Sequence, residues 1–116
     1  MTEIYRQRDI WNTKPILKKV YEDIHFRMIK FADPGSSLEI GSGGINLCKN
    51  YENTIHTDIQ NVPWVDVVSD AHKLPFVKDT FNNILMVDVL HHLHSPVLFF
   101  EEARAVLKQG GKIIMV

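Results

Sequence analysis

The chain has one cysteine, no excess of charge of either sign and no long apolar run, and each absence removes a class of protein. A single thiol, Cys48, cannot close an internal disulfide, so burial must hold the fold, and a reducing compartment fits. The formal net charge is -1, with acids and bases mixed along the chain, so a nucleic-acid partner gets no electrostatic support. No apolar run approaches the roughly 20 residues of a membrane span, and Met1-Thr-Glu-Ile-Tyr-Arg6 lacks a secretory pattern. A cytoplasmic domain with no membrane partner is expected. Internal repeats and low-complexity segments are also missing. What is present is ordinary: 45% apolar and 23% charged residues in 116, enough for one domain with one core, though small for an α/β enzyme.

The stretch Ser36-Ser-Leu-Glu-Ile-Gly-Ser-Gly-Gly-Ile45, whose strand begins at Ser37, organises the rest. A buried strand carries an acid, Glu39, and breaks into glycines at 41, 43 and 44; glycine lets a ligand touch bare backbone, so the pattern reads as a ligand loop on a sheet. Before it, Met1 to Asn12 reads as an arm or short helix. Thr13 is expected to cap a second helix with Pro15 in its first turn. Ile16, Leu17, Val20, Tyr21, Ile24 and Met28 form one apolar face of that helix, and Asp33-Pro34-Gly35 stops it. Lys14, Lys18, Lys19, Arg27 and Lys30, balanced by Glu22 and Asp23, read as its solvated side.

After the glycines, residues 44–50 suit a short helix with Ile45, Leu47 and Cys48 inward. Strands are expected at 53–59, 65–69, 83–88 and 112–116. Residues 72–82 read as loop. Ser95-Pro96 begins a helix reaching about Lys108, with Val97, Leu98, Phe100, Ala103, Val106 and Leu107 inward and Gly110-Gly111 ending it. Only residues 59–64 lie between Asp58, the acid that ends the second strand, and the start of the third, too few for a standard parallel crossover, so the usual helix there must be missing or reduced to a loop. Strands alternating with helices imply a mostly parallel sheet with ligands at the carboxyl ends of its strands. Glu39, Asp58, Asp70 and Asp88 all fall there, and four acids on one rim are hard to explain as packing.

The loop is not a dinucleotide fingerprint, because Asn46 stands where the third glycine is needed, and no Lys-Ser/Thr pair makes it a phosphate-binding P-loop. His91, His92 and His94 do not match patterned zinc sites, so no metal is expected. Together the motifs resemble the class I S-adenosylmethionine-dependent methyltransferases: Leu38-Glu-Ile-Gly-Ser-Gly-Gly44, Thr57-Asp58, Ser69-Asp-Ala-His-Lys-Leu-Pro-Phe76, Val87-Asp-Val-Leu-His-His-Leu93 and Arg104-Ala-Val-Leu-Lys-Gln-Gly-Gly111, in order. The small-molecule branch of that family, with its Leu-Pro-Phe and His-His signatures, is the nearest likeness.

The resemblance implies a Rossmann-like three-layer sandwich with strand order 3-2-1-4-5, preceded over 1–36 by the arm and amphipathic helix. It implies S-adenosylmethionine as cofactor and methyl transfer from its sulfonium to a small molecule. Gly41, Ser42 and Gly43 would hold the methionine and ribose portion, with Glu39 toward the ammonium and Asp58 on the ribose hydroxyls. Ile59 would pack on adenine, and Asp70 and Ala71 would read its edge. Asp88, His91 and His92 would face the methyl group and substrate, the histidines as candidate bases. Motif four is Val-Asp-Val-Leu, without the proline patterns of base-amino or cytosine-C5 methylation. Two departures stand out: Ile45, where the family often has glycine, and the short link after Asp58. Family members continue for two more strands, so residues 37–116 read as an incomplete core whose fifth strand a second copy would cover. The alternative function is a non-catalytic module that binds cofactor or a partner chain.

Overall fold

Alternation decides the centre of the molecule. In β1 (Ser37–Ile40), Leu38 and Ile40 project to one face, Ser37 and Glu39 to the other, and all four are buried. A strand buried on both faces belongs inside a sheet covered by helices on both sides. The computed structural model, which describes residues 3–45, 51 and 53–116, places it there. With β2 (Thr54–Asp58), β3 (Val67–Val68), β4 (Phe81–Met86) and β5 (Leu107–Met115), it forms a parallel sheet of order β3-β2-β1-β4-β5. This is the 3-2-1-4-5 order that the resemblance implied. The link from β2 to β3 holds no helix, as its length required.

Helix α3 (Pro96–Val106) covers the Leu38/Ile40 face with Phe99, Ala103 and Val106, spaced at four and three, against Ile84 and Met86. The expected face was displaced: Phe99 is 0% exposed and Phe100 40%, while Val97 and Leu98 also stay exposed. Four apolar residues in a row carry no phase, but Phe99 alone lies one turn before Ala103 and two before Val106. Ser95 caps the helix, its Oγ accepting the Leu98 N–H at 3.3 Å. Ser95→Ala should cost about 1 kcal/mol, seen as a melting temperature lower by roughly 3–5 °C; an unchanged melting point would show that the cap carries no stability.

The helix ends at Val106, two residues before the expected stop. The N–H groups of Asp79 and Thr80 donate to the carbonyls of Ala105 and Val106, and Leu107 turns extended straight into β5. Gly110 and Gly111 therefore do not end the helix; they lie in an irregularity of β5, between the pairs Phe81–Leu107 and Asn83–Lys112, with Gly110 at φ +79°. Strand β4 starts earlier than expected because Phe81 fills the core, and it ends at Met86. β3 shrinks to two residues.

On the other face, helices α1 (Glu3–Thr13) and α2 (Pro15–Ile29) bury Trp11 and Met28 against Leu85, with Tyr21, Ile24 and Ile45 packed around them. Ile16 and Val20 of the expected apolar face remain exposed. Thr13 is not a cap: it ends α1, its hydroxyl donating to the Asp9 carbonyl at 2.9 Å. Proline restricts the residue before it, so Lys14 is extended and occupies the cap position without a side-chain bond. Of the expected helix over 44–50, residues 46–50, including Leu47 and Cys48, lie outside the described residues. Among the described residues no helix is long and apolar enough to cross a membrane, and no strand pairs with the outer edge of β5.

Candidate cofactor site

The carboxyl ends of β1, β2 and β4 and the turn after β3 open on one cleft of about 500 Å3, within the roughly 300–1,000 Å3 typical of small-molecule sites. Its floor is the glycine loop. Gly41 and Gly43 have φ of +67° and +58°, and a Cβ on Gly41 would lie 2.5 Å from Val89 Cγ2, so no other residue fits there without a shift. Ser42 N–H donates to the Thr57 carbonyl at 2.8 Å, tying the loop to β2.

Asp58, at the end of β2, holds the loop from the side. Its Oδ2 accepts the Gly43 N–H at 2.8 Å and its Oδ1 the Gln60 N–H at 2.9 Å. The short link contributes Trp64, whose Nε1 donates to the Gly43 carbonyl at 2.7 Å and whose ring carries the Arg8 guanidinium at 4.7 Å. Arg8 also donates to the Ile45 carbonyl, and Gln7 Oε1 accepts the Gly44 N–H, so α1 lies directly on the loop. A Cβ on Gly44 would meet Gln7 Cβ at 2.5 Å. Close approach of α1 thus explains the third glycine.

Beneath the loop is a buried polar cluster. Glu39 Oε1 lies 2.6 Å from Ser42 Oγ, which donates to it, and 2.8 Å from His56 Nδ1. Burial pulls the His56 pKa down, but the hydrogen bond and charge of Glu39, with the charge of Asp66, leave it above the ordinary imidazole value. His25 of α2 goes the other way: burial lowers it, Glu39 opposes and His56 reinforces.

On the opposite wall, Asp70 Oδ1 accepts the backbone N–H of His72 at 2.9 Å and lies 2.7 Å from its Nδ1. The backbone bond and then the ring hold the Asp70 pKa below the usual carboxylate value. His72 Nε2 accepts the Ser95 N–H, which assigns the ring proton to Nδ1. His94 stacks on His72 with centroids 3.8 Å apart. Asp88 follows β4 in the left-handed region at φ 61°, exposed.

The structure brings Gly41, Gly43, Asp58, Ile59, Asp70, Ala71, Asp88 and His92 to the one cleft. Glu39 and Ser42 line a pocket of about 100 Å3 beside it, which shares Gly41, Gly43 and Asp88. His91 is outside both linings, its Nδ1 3.6 Å from Asp88 Oδ1. The sequence reading did not assign Gln7, His72 or His94, which it weighed only as a metal ligand, to the cleft, nor Trp64 and His56 behind it. Only His56 left a signal, a polar residue on an inward face two positions before Asp58; the others depend on tertiary contacts.

Chemically, the cleft wall offers acids, histidines and bare backbone, and no lysine or arginine among its described lining residues. Such a wall favours donors such as hydroxyl, amino and ammonium groups over a pyrophosphate.

The Methyltransferase domain family matches residues 38–115. An uncharacterised protein of Methanocaldococcus jannaschii is 33% identical over 89 residues, covering 70% of this chain and 43% of its own length. Two solved structures share the fold at TM-score 0.73. One is a protein of Methanococcus maripaludis with a provisional assignment as an S-adenosylmethionine-dependent methyltransferase (18% identity, 97% of this chain, 61% of that one). The other is an S-adenosylmethionine-dependent methyltransferase of Thermotoga maritima, a possible histamine N-methyltransferase (22% identity, 99% and 60%). The chain thus spans less than half of the curated relative and about three-fifths of the two structures. Over two-thirds of its residues, in motif order and in sheet order, the chain belongs to the class I S-adenosylmethionine-dependent methyltransferase family.

Proposed function

We propose that this chain carries the S-adenosylmethionine site of a methyltransferase acting on a small molecule. The observation that carries the reading is the acid-lined cleft over the glycine loop, with no lysine or arginine among its described lining residues: its groups complement a nucleoside with an amino-acid tail better than a phosphate. In this reading Asp58 accepts the two ribose hydroxyls, and Ile59, exposed at the cleft, offers an apolar surface for adenine. Asp70 and Ala71 face the adenine edge, and Glu39 with Ser42 the ammonium end. When bound, the cofactor supplies an activated methyl group with a neutral thioether leaving group. The chain's own task is then orientation and exclusion of water. His92, in the cleft wall with Asp88, is the residue that would take a proton from an acceptor that must lose one as it attacks, with His91 acting through Asp88.

The test is calorimetric titration of S-adenosylhomocysteine into the 116-residue chain. Saturable one-to-one binding at micromolar concentration is expected, with ATP and a nicotinamide dinucleotide giving none. A folded chain that takes no S-adenosylhomocysteine would overturn the reading.

A further inference from the structure

Of the buried cluster under the glycine loop, His56 has no part in the roles above. Glu39 and His56 face each other in the β1–β2 register, on the side of the sheet covered by α2. Both are buried, where packing alone would be served better by apolar side chains. Instead the site is built around the histidine. Its backbone N–H donates to Asp66 Oδ2 at 2.8 Å, and its ring meets Glu39. Ser42 Oγ reaches the same oxygen, Oε1, at 2.6 Å. Two partners on one oxygen fix both the reach and the rotation of the Glu39 carboxylate. The small pocket that this carboxylate lines has room for a short charged tail and none for a nucleoside.

We infer that His56, with Ser42, is a positioning residue that holds Glu39 against the ammonium of the cofactor's amino-acid tail. The inference rests on the cofactor site proposed above. It makes recognition of the tail separable from recognition of the nucleoside, which falls to Asp58 and Asp70 across the cleft. The charged groups around the imidazole are Glu39 of β1, Asp66 of the link and His25 of α2. Two carboxylates to one neighbouring imidazole favour an N–H donor at position 56, so what the site demands of that residue is donation.

Two ligands separate the roles: S-adenosylhomocysteine, and 5′-methylthioadenosine, which keeps the nucleoside and thioether but lacks the tail. Calorimetry is run with the wild-type chain, His56→Leu and His56→Gln. His56→Leu should weaken S-adenosylhomocysteine by about tenfold or more and leave methylthioadenosine within about twofold. His56→Gln, whose amide still donates, should recover most of the loss. Equal weakening of both ligands would make His56 merely structural and overturn the inference, as would undiminished S-adenosylhomocysteine binding. If His56→Leu fails to fold, Ser42→Ala carries the same selective expectation. A wild-type chain that binds neither ligand would overturn the cofactor site itself; one that binds both, with variants showing no selectivity, would overturn only the role of His56.

Discussion

Asp58→Ala should lower the affinity for S-adenosylhomocysteine by about a hundredfold or more. A hydrogen bond to a charged group contributes about 1.5–3 kcal/mol, and two ribose hydroxyls on one carboxylate place roughly 3–6 kcal/mol at stake, or about 10²–10⁴ in the dissociation constant. The structure adds a second cost. Both Asp58 oxygens accept backbone N–H groups, from Gly43 and Gln60, so alanine also removes one of the glycine loop's ties to β2, leaving the Ser42 N–H on the Thr57 carbonyl. Asp58→Asn separates the two effects, because an amide keeps one acceptor at nearly the same shape; it should lose only about tenfold. Methylthioadenosine, with the same ribose, should weaken as much as S-adenosylhomocysteine does in Asp58→Ala. Calorimetry that found Asp58→Ala within about threefold of wild type would remove Asp58 from the site.

Why that residue was legible, and others were not, has a physical basis. Asp58 ends the strand Thr54-Ile-His-Thr-Asp58, as Glu39 and Asp88 sit in or after apolar runs, and a parallel sheet sends the ends of its strands to one rim. Topology alone therefore gathers them, once β1, β2 and β4 are read as strands. The loop glycines were readable too, as a turn after a buried strand, with or without a ligand. What failed was phase and termination. Phe99 and Phe100 are adjacent, and only the fixed positions of Ala103 and Val106 choose between them. Gly110-Gly111 looks like a helix stop, but the carbonyls it would have freed are taken by Asp79 and Thr80, from the loop before β4. Thr13 looks like a cap, but Pro15 governs Lys14 instead. Gln7, Trp64 and His72 join the site through contacts from α1, from a link without regular structure and from a turn, and none has a local pattern to announce it.

Asn83→Leu should be the most destabilising change outside the cleft, lowering the unfolding free energy by about 3–5 kcal/mol. Asn83 is fully buried in β4 beside Ser37 of β1, on the α2 side of the sheet, and its amide is used at both ends. Oδ1 accepts the Asp33 N–H at 2.9 Å, while Nδ2 donates to the Asp33 carbonyl at 2.8 Å and to Ser37 Oγ at 3.1 Å. The turn that stops α2 is thereby stitched to the centre of the sheet, and Lys112 Nζ to Asp33 at 3.0 Å adds an outer, solvent-screened stitch. Leucine shares the branched outline of asparagine but is larger and apolar, so no cavity opens; the loss is the stranding of the part-buried Asp33 N–H and carbonyl, about 1–3 kcal/mol for each group left unsatisfied, with overpacking by the larger side chain added to it. Against the roughly 5–15 kcal/mol that holds a typical domain together, that is a large share. Urea unfolding should show a lower midpoint with an unchanged slope, because the surface exposed on unfolding is the same. Asn82→Ala, next door and half-buried, gives up one bond to the Ser36 N–H and should cost only about 1 kcal/mol. Equal midpoints for the two variants would mean that water reaches Asp33 when Asn83 is gone, and that the turn is held by the outer stitch instead.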